Sequence, residues 1–368
     1  MKKHLFISIF LFGFLFLFST VRGQDPNYSQ FFSTPLYYNP AYTGINTGVR
    51  ARFSFRDQWP NLPVDFRSYY FSADLGDRNL PGSGGLGLIV NSNNEGIGFI
   101  KDLSVGLSIG VRIPITASVI SQVGIKASVV QKSLNWNDFV FSDQLSEKYG
   151  NIYLSSFVPP DANHKVFPDF GAGGLLQFSN PEGNVTGVAG FAVDHIFQPD
   201  ESFLSTASAP LPRKYVAHLD IVISAGGGSS SAMYANGGSN DPLKINPGII
   251  YQNQNNMSSL EAGFNLLKFN IYLGGWYKAS FGGLSGGNAI ALVAGYRYAF
   301  AEDMSIKFMY SYDLITSANM QGLGGAHEIS LILEFDKLTI FGGNGGGGAN
   351  TPGRTMRSNS ALECPSFY

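Results

Sequence analysis

The chain is poor in charge, in cysteine and in long apolar runs. Charged residues make up 14% of its 368 residues, against roughly 25% in ordinary soluble domains. The formal net charge is −2, so the chain lacks the basic surface of a general nucleic-acid binder. Its one cysteine, Cys364, rules out an intramolecular disulfide framework. Beyond residue 23 no apolar run reaches the about 18 residues of a membrane helix, which excludes helical spans.

Signatures of catalysis are also missing. "GSGGLG" at 82–87 matches a dinucleotide-loop pattern, but it precedes a strand and opens no helix. His327-Glu328 begins a zinc-protease motif, yet Leu331 stands where the second histidine belongs. His164, His195 and His218 lie on separate segments, and no nucleophile elbow accompanies them. The expectation is a protein without enzymatic activity, cofactor or metal.

What is present is glycine, 45 residues, and aromatics at 14%. The start, with Lys2 and Lys3, the apolar run Leu5 to Phe18 and Val21-Arg22-Gly23, has the layout of a secretory signal peptide over residues 1–23. The chain is expected to be exported.

Period two dominates the rest. In "DLSVGLSIGVRIP", Leu103, Val105, Leu107, Ile109, Val111 and Ile113 alternate with Ser104, Gly106, Ser108, Gly110 and Arg112, as in a strand with one apolar face. In "VRARFSF", Arg50 and Arg52 oppose Val49, Ala51 and Phe53. Inward arginines suit a polar lumen, with the apolar face towards lipid.

Strands are predicted near 48–58, 65–75, 84–93, 102–113, 118–134, 167–178, 185–197, 213–225, 244–253, 257–267, 269–279, 288–299, 303–313 and 327–336. The predicted fold is all-β, a transmembrane antiparallel β-barrel of about 14 strands. It has an N-terminal plug or lead-in over 24–47, a barrel over 48–336 and a Gly-rich linker and tail over 337–368. An even strand count puts both termini in the periplasm. The long connections 135–166, 198–212 and 314–326 then face the exterior, while the Gly/Ser-rich 226–243 departs from that pattern.

Trp59, Tyr69, Tyr70, Trp136, Tyr296, Tyr298, Tyr310 and Tyr312 read first as interfacial girdles. Trp59, with Pro60 beside it, and Trp136 have a second reading as anchors for a protein partner on the outer loops. In "YSQFFSTPLYYNPAYTG", residues 28–44, Pro35 and Pro40 oppose strand pairing. Phe31, Phe32, Tyr37 and Tyr38 supply area to bury, and Asn39-Pro40 is expected to turn. This segment is predicted to fold back against the barrel, in its lumen or across its periplasmic mouth. The tail opens as a flexible linker and ends with Arg354, Arg357, Cys364, Pro365, Phe367 and Tyr368. It is expected either to contact a periplasmic component or simply to fray.

The same opening stretch resembles the start of PorP/SprF-family outer-membrane proteins of the type IX secretion system. "RDQWP" at 56–60, "VFPDFGAGGLL" at 166–176, "LPRKY" at 211–215, "YSYDL" at 310–314, "GGAHEISLILEF" at 324–335 and the terminal "CPSFY" are similar to the same family in the same order. The resemblance implies an outer-membrane barrel, in contact with outer-membrane lipid, beside the export machinery. It implies partners of two kinds: a secreted adhesin with a type B C-terminal domain, and periplasmic components of the secretion or gliding apparatus. A transporter of hydrophobic small molecules and a simple diffusion pore stand as alternatives.

Overall fold

The computed structural model describes residues 25–77, 84–96, 100–159, 163–204, 207–225, 242–282, 288–301, 303–336 and 338. The predicted signal peptide and nearly all of the predicted tail lie outside these residues. Five strands begin the wall: β1 (Gly48–Gln58), β2 (Phe66–Gly76), β3 (Gly85–Glu95), β4 (Ile100–Pro114) and β5 (Val119–Ser133). A small hairpin, β6 (Leu145–Ser146) and β7 (Gly150–Asn151), sits in the next loop. The wall resumes with β8 (His164–Ser179), β9 (Val185–Asp194), β10 (Lys214–Ala225), β11 (Leu243–Gln254) and β12 (Met257–Lys268). It ends with β13 (Ile271–Phe281), β14 (Ala289–Ala301), β15 (Met304–Ile315) and β16 (Ala326–Phe335).

These fourteen wall strands form one closed barrel, and all fourteen predicted strands are among them. β16 closes antiparallel onto β1, from Val49 opposite Phe335 to Gln58 opposite Ala326. Closure pairs every strand on both sides, as a wall surrounded by hydrocarbon requires. The largest shift at the C-terminal end of a predicted strand is in β9, which stops at Asp194, where His195 takes a left-handed conformation with φ 56°.

The alternation sorts the two faces. Leu107 is 65% exposed on the outer face, whereas its neighbour Ser108 is 1% exposed and points inward. Arg50 and Arg52 also point inward and are paired, Arg50 with Glu334 and Asp336 and Arg52 with Asp74. Tyr69, Tyr296, Tyr298 and Tyr310 lie on the outer face. Tyr70 does not belong to a girdle: it is fully buried in the lumen, because period two sends neighbours on one strand to opposite faces.

β1 starts and β16 finishes at the same end of the barrel, termed here the terminal end. Connections there include the short 115–118, 180–184 and 269–270. The opposite, loop end carries 134–163, 195–213 and 316–325.

Candidate functional site: the occupied lumen

Every residue from Tyr28 to Asn46 is buried. The segment runs the length of the lumen. Asp25 lies at the loop end, where its backbone N–H donates to Gln254 (2.9 Å) and its carboxylate meets His195 (3.0 Å) and Lys214 (3.4 Å). At the terminal end the Gly44 N–H donates to Asp74 (3.0 Å), just before β1 begins. The first described residue is at the loop mouth, opposite the start and finish of the wall.

Local sequence explains the compact path. Phe31–Ser33 and Pro40–Tyr42 are 3-10 turns, and Pro35–Tyr38 is one turn of α-helix. Pro35 and Pro40 occupy first helical positions, where a missing N–H costs nothing and a fixed φ helps. The Asn39 side chain accepts from the Ala41 N–H (2.9 Å), capping the second 3-10 turn. Pro26 to Tyr28 lie beside the helical turn, with the Tyr28 N–H donating to the Tyr38 hydroxyl (2.8 Å) and the Tyr37 hydroxyl to the Pro26 carbonyl (2.7 Å).

Aromatic packing fills the middle. Tyr28 meets Tyr37 edge-on at 5.1 Å and Tyr70 at 6.0 Å, and Phe31 meets the inward Trp276 at 5.1 Å. Phe32 is also buried. Such edge contacts add about 0.5–1.5 kcal/mol each beyond the area they bury.

Ionised groups hold the segment from one side. The Ser29 N–H donates to Glu328 (2.7 Å) and its hydroxyl to Asp313 (2.7 Å), while Lys278 donates to that hydroxyl (3.0 Å). Arg56 joins Asp313 (2.9 Å) to Glu328 (3.3 Å). Asn27 donates to Glu261 (2.7 Å). Further along, His218 stacks on Tyr42 at 5.2 Å, and its ring nitrogens meet Tyr42 and Asn39, each at 3.2 Å.

From the other side the wall is small. Gln122 donates to the Thr43 carbonyl (2.7 Å), and the Thr43 hydroxyl donates to Ser108 (2.7 Å). A Cβ at Gly110 would overlap the Thr43 carbonyl, and one at Gly124 would overlap the Pro40 carbonyl. Gly85 and Gly87, the end of the "GSGGLG" run, likewise face Gly44 and Thr43.

At the loop mouth, outside the spanning strands, His195 lies between Asp25 and Asp169, 3.0 Å from each. Burial opposes its charging, but the two carboxylates outweigh burial and raise its pKa to about 10. Burial would raise the pKa of Asp25, yet His195 and Lys214 hold it well below the usual carboxylate range.

Two cavities open at this end, both lined by Asp25, Pro26 and Glu95. One of about 360 Å³ extends to Arg56, Trp59 and Lys278, and one of about 110 Å³ to Asn93, Asp102 and His195. Trp59 packs edge-on against Phe66 at 5.1 Å, and Pro60 beside it is exposed. Trp136 belongs to a different cluster, with Phe139, Phe157 and Phe203 around its ring. On the same loop Tyr149, Leu154 and Val158 project into solvent, Leu154 being 96% exposed. Arg354, Arg357, Cys364, Pro365, Phe367 and Tyr368 lie outside the described residues.

The sequence reading missed Tyr70, Trp276, His195, His218, Asp313 and Glu328 as groups that hold the segment. Strand parity was the available signal for those on strands: Trp276 and Lys278 share a face, as do Ser311 and Asp313.

Together these features define an outer-membrane-type β-barrel whose lumen is occupied by its own N-terminal segment. The sequence model of the family described as type IX secretion system membrane protein PorP/SprF matches residues 20–333, and the chain belongs to that family. No curated protein matches the sequence at a significant level. Among solved structures the chain is similar to a Pseudomonas aeruginosa FadL homologue, with 13% identity, 78% of this chain and 89% of that one covered, and a TM-score of 0.42. It is also similar to the Pseudomonas putida toluene transporter TodX (12% identity, 86% and 99% covered, TM-score 0.43). A third is the Ralstonia pickettii toluene transporter TbuX (12% identity, 82% and 92% covered, TM-score 0.41).

Proposed function

We propose that this chain is a non-enzymatic outer-membrane barrel of the type IX secretion system that holds a secreted surface protein at its loop end. The partner class is an adhesin with a type B C-terminal domain, and holding it supports its export or surface retention and, in a gliding cell, motility. In this reading the loop end faces outward, residues 24–47 are a plug, 48–336 the barrel, and the tail 337–368 contacts periplasmic machinery. Trp59, Pro60 and Trp136 lie on the loop surface that meets the partner.

The observation that carries the reading is the loop segment 134–159. It packs around the Trp136 cluster and presents Tyr149, Leu154 and Val158 to solvent. Exposed apolar groups on an ordered scaffold are what a protein interface uses. A lumen filled by residues 28–46 suits a fixed platform better than a conduit. The six carboxylates that line the smaller loop-end cavity are unlike the apolar lining that a carrier of hydrophobic molecules needs.

The test is deletion of residues 139–158, followed by a mild-detergent pull-down from the outer membrane. Loss of a co-purifying type B surface protein, with barrel migration on gels unchanged, is the expected outcome. Undiminished capture would overturn the reading.

A further inference from the structure

The smaller loop-end cavity is walled on one side by β3 and β4 and on the other by β5, β8, His195 and the 195–213 loop. Six carboxylates line it: Asp25, Glu95, Asp102, Asp169, Asp194 and Glu201. Only three cationic groups share that lining, Lys126, Lys132 and His195, and Lys214 reaches Asp25 from the side at 3.4 Å. Four positive groups therefore face six negative ones.

The pairing is uneven. Lys126 is 2.7 Å from Asp194, Lys132 is 2.8 Å from Glu201, and His195 bridges Asp25 and Asp169. Asp102 has only the far side of Lys132, at 3.8 Å. Glu95 has no ion-pair partner among the described residues. Asn93 lies directly across the β3–β4 ladder from Asp102. Its side-chain oxygen and one oxygen of Asp102 are buried and receive no hydrogen bond among the described residues, and Asn93 is only 9% exposed. Buried acceptors of this kind call for a donor, and the excess negative charge calls for a cation.

Among the described residues no group of three or more His, Cys, Asp or Glu side chains is arranged to hold a metal ion. A compact organic cation with several N–H donors answers both demands. A primary ammonium carries three donors and one positive charge. The cavity, about 110 Å³, accommodates a short aminoalkyl chain but no folded element.

We infer that this cavity binds a primary ammonium group, presented by a lysine side chain of the secreted protein held at the loop end. The ammonium sits between Glu95 and Asp102 and donates to the Asn93 and Asp102 oxygens, with the aminoalkyl stem passing Glu201 and Leu211. The inference rests on the proposed function for the source of the lysine, but the chemistry of the cavity can be tested without the partner.

The probe is Nα-acetyl-lysine-N-methylamide, titrated into the purified full-length barrel in detergent and followed by ligand-observed NMR. Its norleucine analogue, which has the stem without the ammonium, is the control. Saturable binding of the lysine probe is expected, weakened about tenfold or more in the Glu95→Gln/Asp102→Asn double variant. Asn93→Asp, which adds a carboxylate without removing an acceptor, should tighten it. Equal binding of lysine and norleucine probes, no saturable binding, or a double variant that binds like the parent would overturn the inference. So would displacement of the probe by an equal concentration of calcium, which marks a divalent-ion site. Partner capture is read separately by the loop deletion, so failure here leaves the proposed function standing, and the converse also holds.

Discussion

Where the lumenal segment meets β4 and β5, the wall is glycine and small polar residues; where it meets β1, β12, β13, β15 and β16, the wall is ionised. On the first side Gly110 and Gly124 press directly on the backbone of Thr43 and Pro40. On the second, Arg56, Lys278, Asp313 and Glu328 reach across to Ser29. The segment therefore lies off-centre, against the glycine side. Close packing against backbone dominates on one side, and hydrogen bonding to ionised groups on the other.

The difference sets what each wall tolerates. On the ionised wall the largest loss should follow Arg56→Met. It leaves Asp313 and Glu328 buried with only Lys278 to compensate, a change of about 3–5 kcal/mol for a broken buried ion-pair network. Denaturant unfolding in lipid vesicles measures it, and a change under about 1 kcal/mol would mean the network is not holding the segment. On the glycine wall, Gly124→Val should cost about 1–3 kcal/mol through overpacking and expose residues 40–43 to protease. The same method applied to the lipid-facing Val123→Leu should show little, and equal sensitivity of the two sites would break the comparison.

A smaller effect is expected at the point where the walls meet. Asn39→Ala removes the cap on Ala41 and the contact with His218, and should cost about 0.5–2 kcal/mol. The last effect is a dependence on pH at the loop mouth, read as local mobility. His195 is raised from an ordinary value near 6.5 to about 10, so its stabilisation is complete below about 6.5 and is lost as pH rises through 10. A spin label near residue 26 should gain mobility over that window, and His195→Gln should abolish the change.

The wall was legible because lipid imposes one rule on every strand: apolar outward, at period two. That rule placed all fourteen strands and turned Arg50 and Arg52 inward. The same rule, carried one residue further along β2, would have put Tyr70 inside with its neighbour Tyr69 outside. The contacts of the segment were less legible. Nothing local in "VDHIF" shows that His195 will meet Asp25, 170 positions away, since such pairing depends on which strand ends share a mouth. The direction of the segment was likewise hidden. Aromatics and prolines announce a packed, unpaired stretch but not that its start lies at the loop end. The "GSGGLG" run shows the same limit, because its last glycines make room for backbone rather than for a cofactor.

The most direct test of an occupied lumen is conductance in planar bilayers, comparing the full-length barrel with a chain lacking residues 25–46. No steady pore current is expected from the full-length protein, and stepwise open-channel currents from the deletion, with both migrating as folded barrels. Steady currents of the same size from both would contradict an occupied lumen.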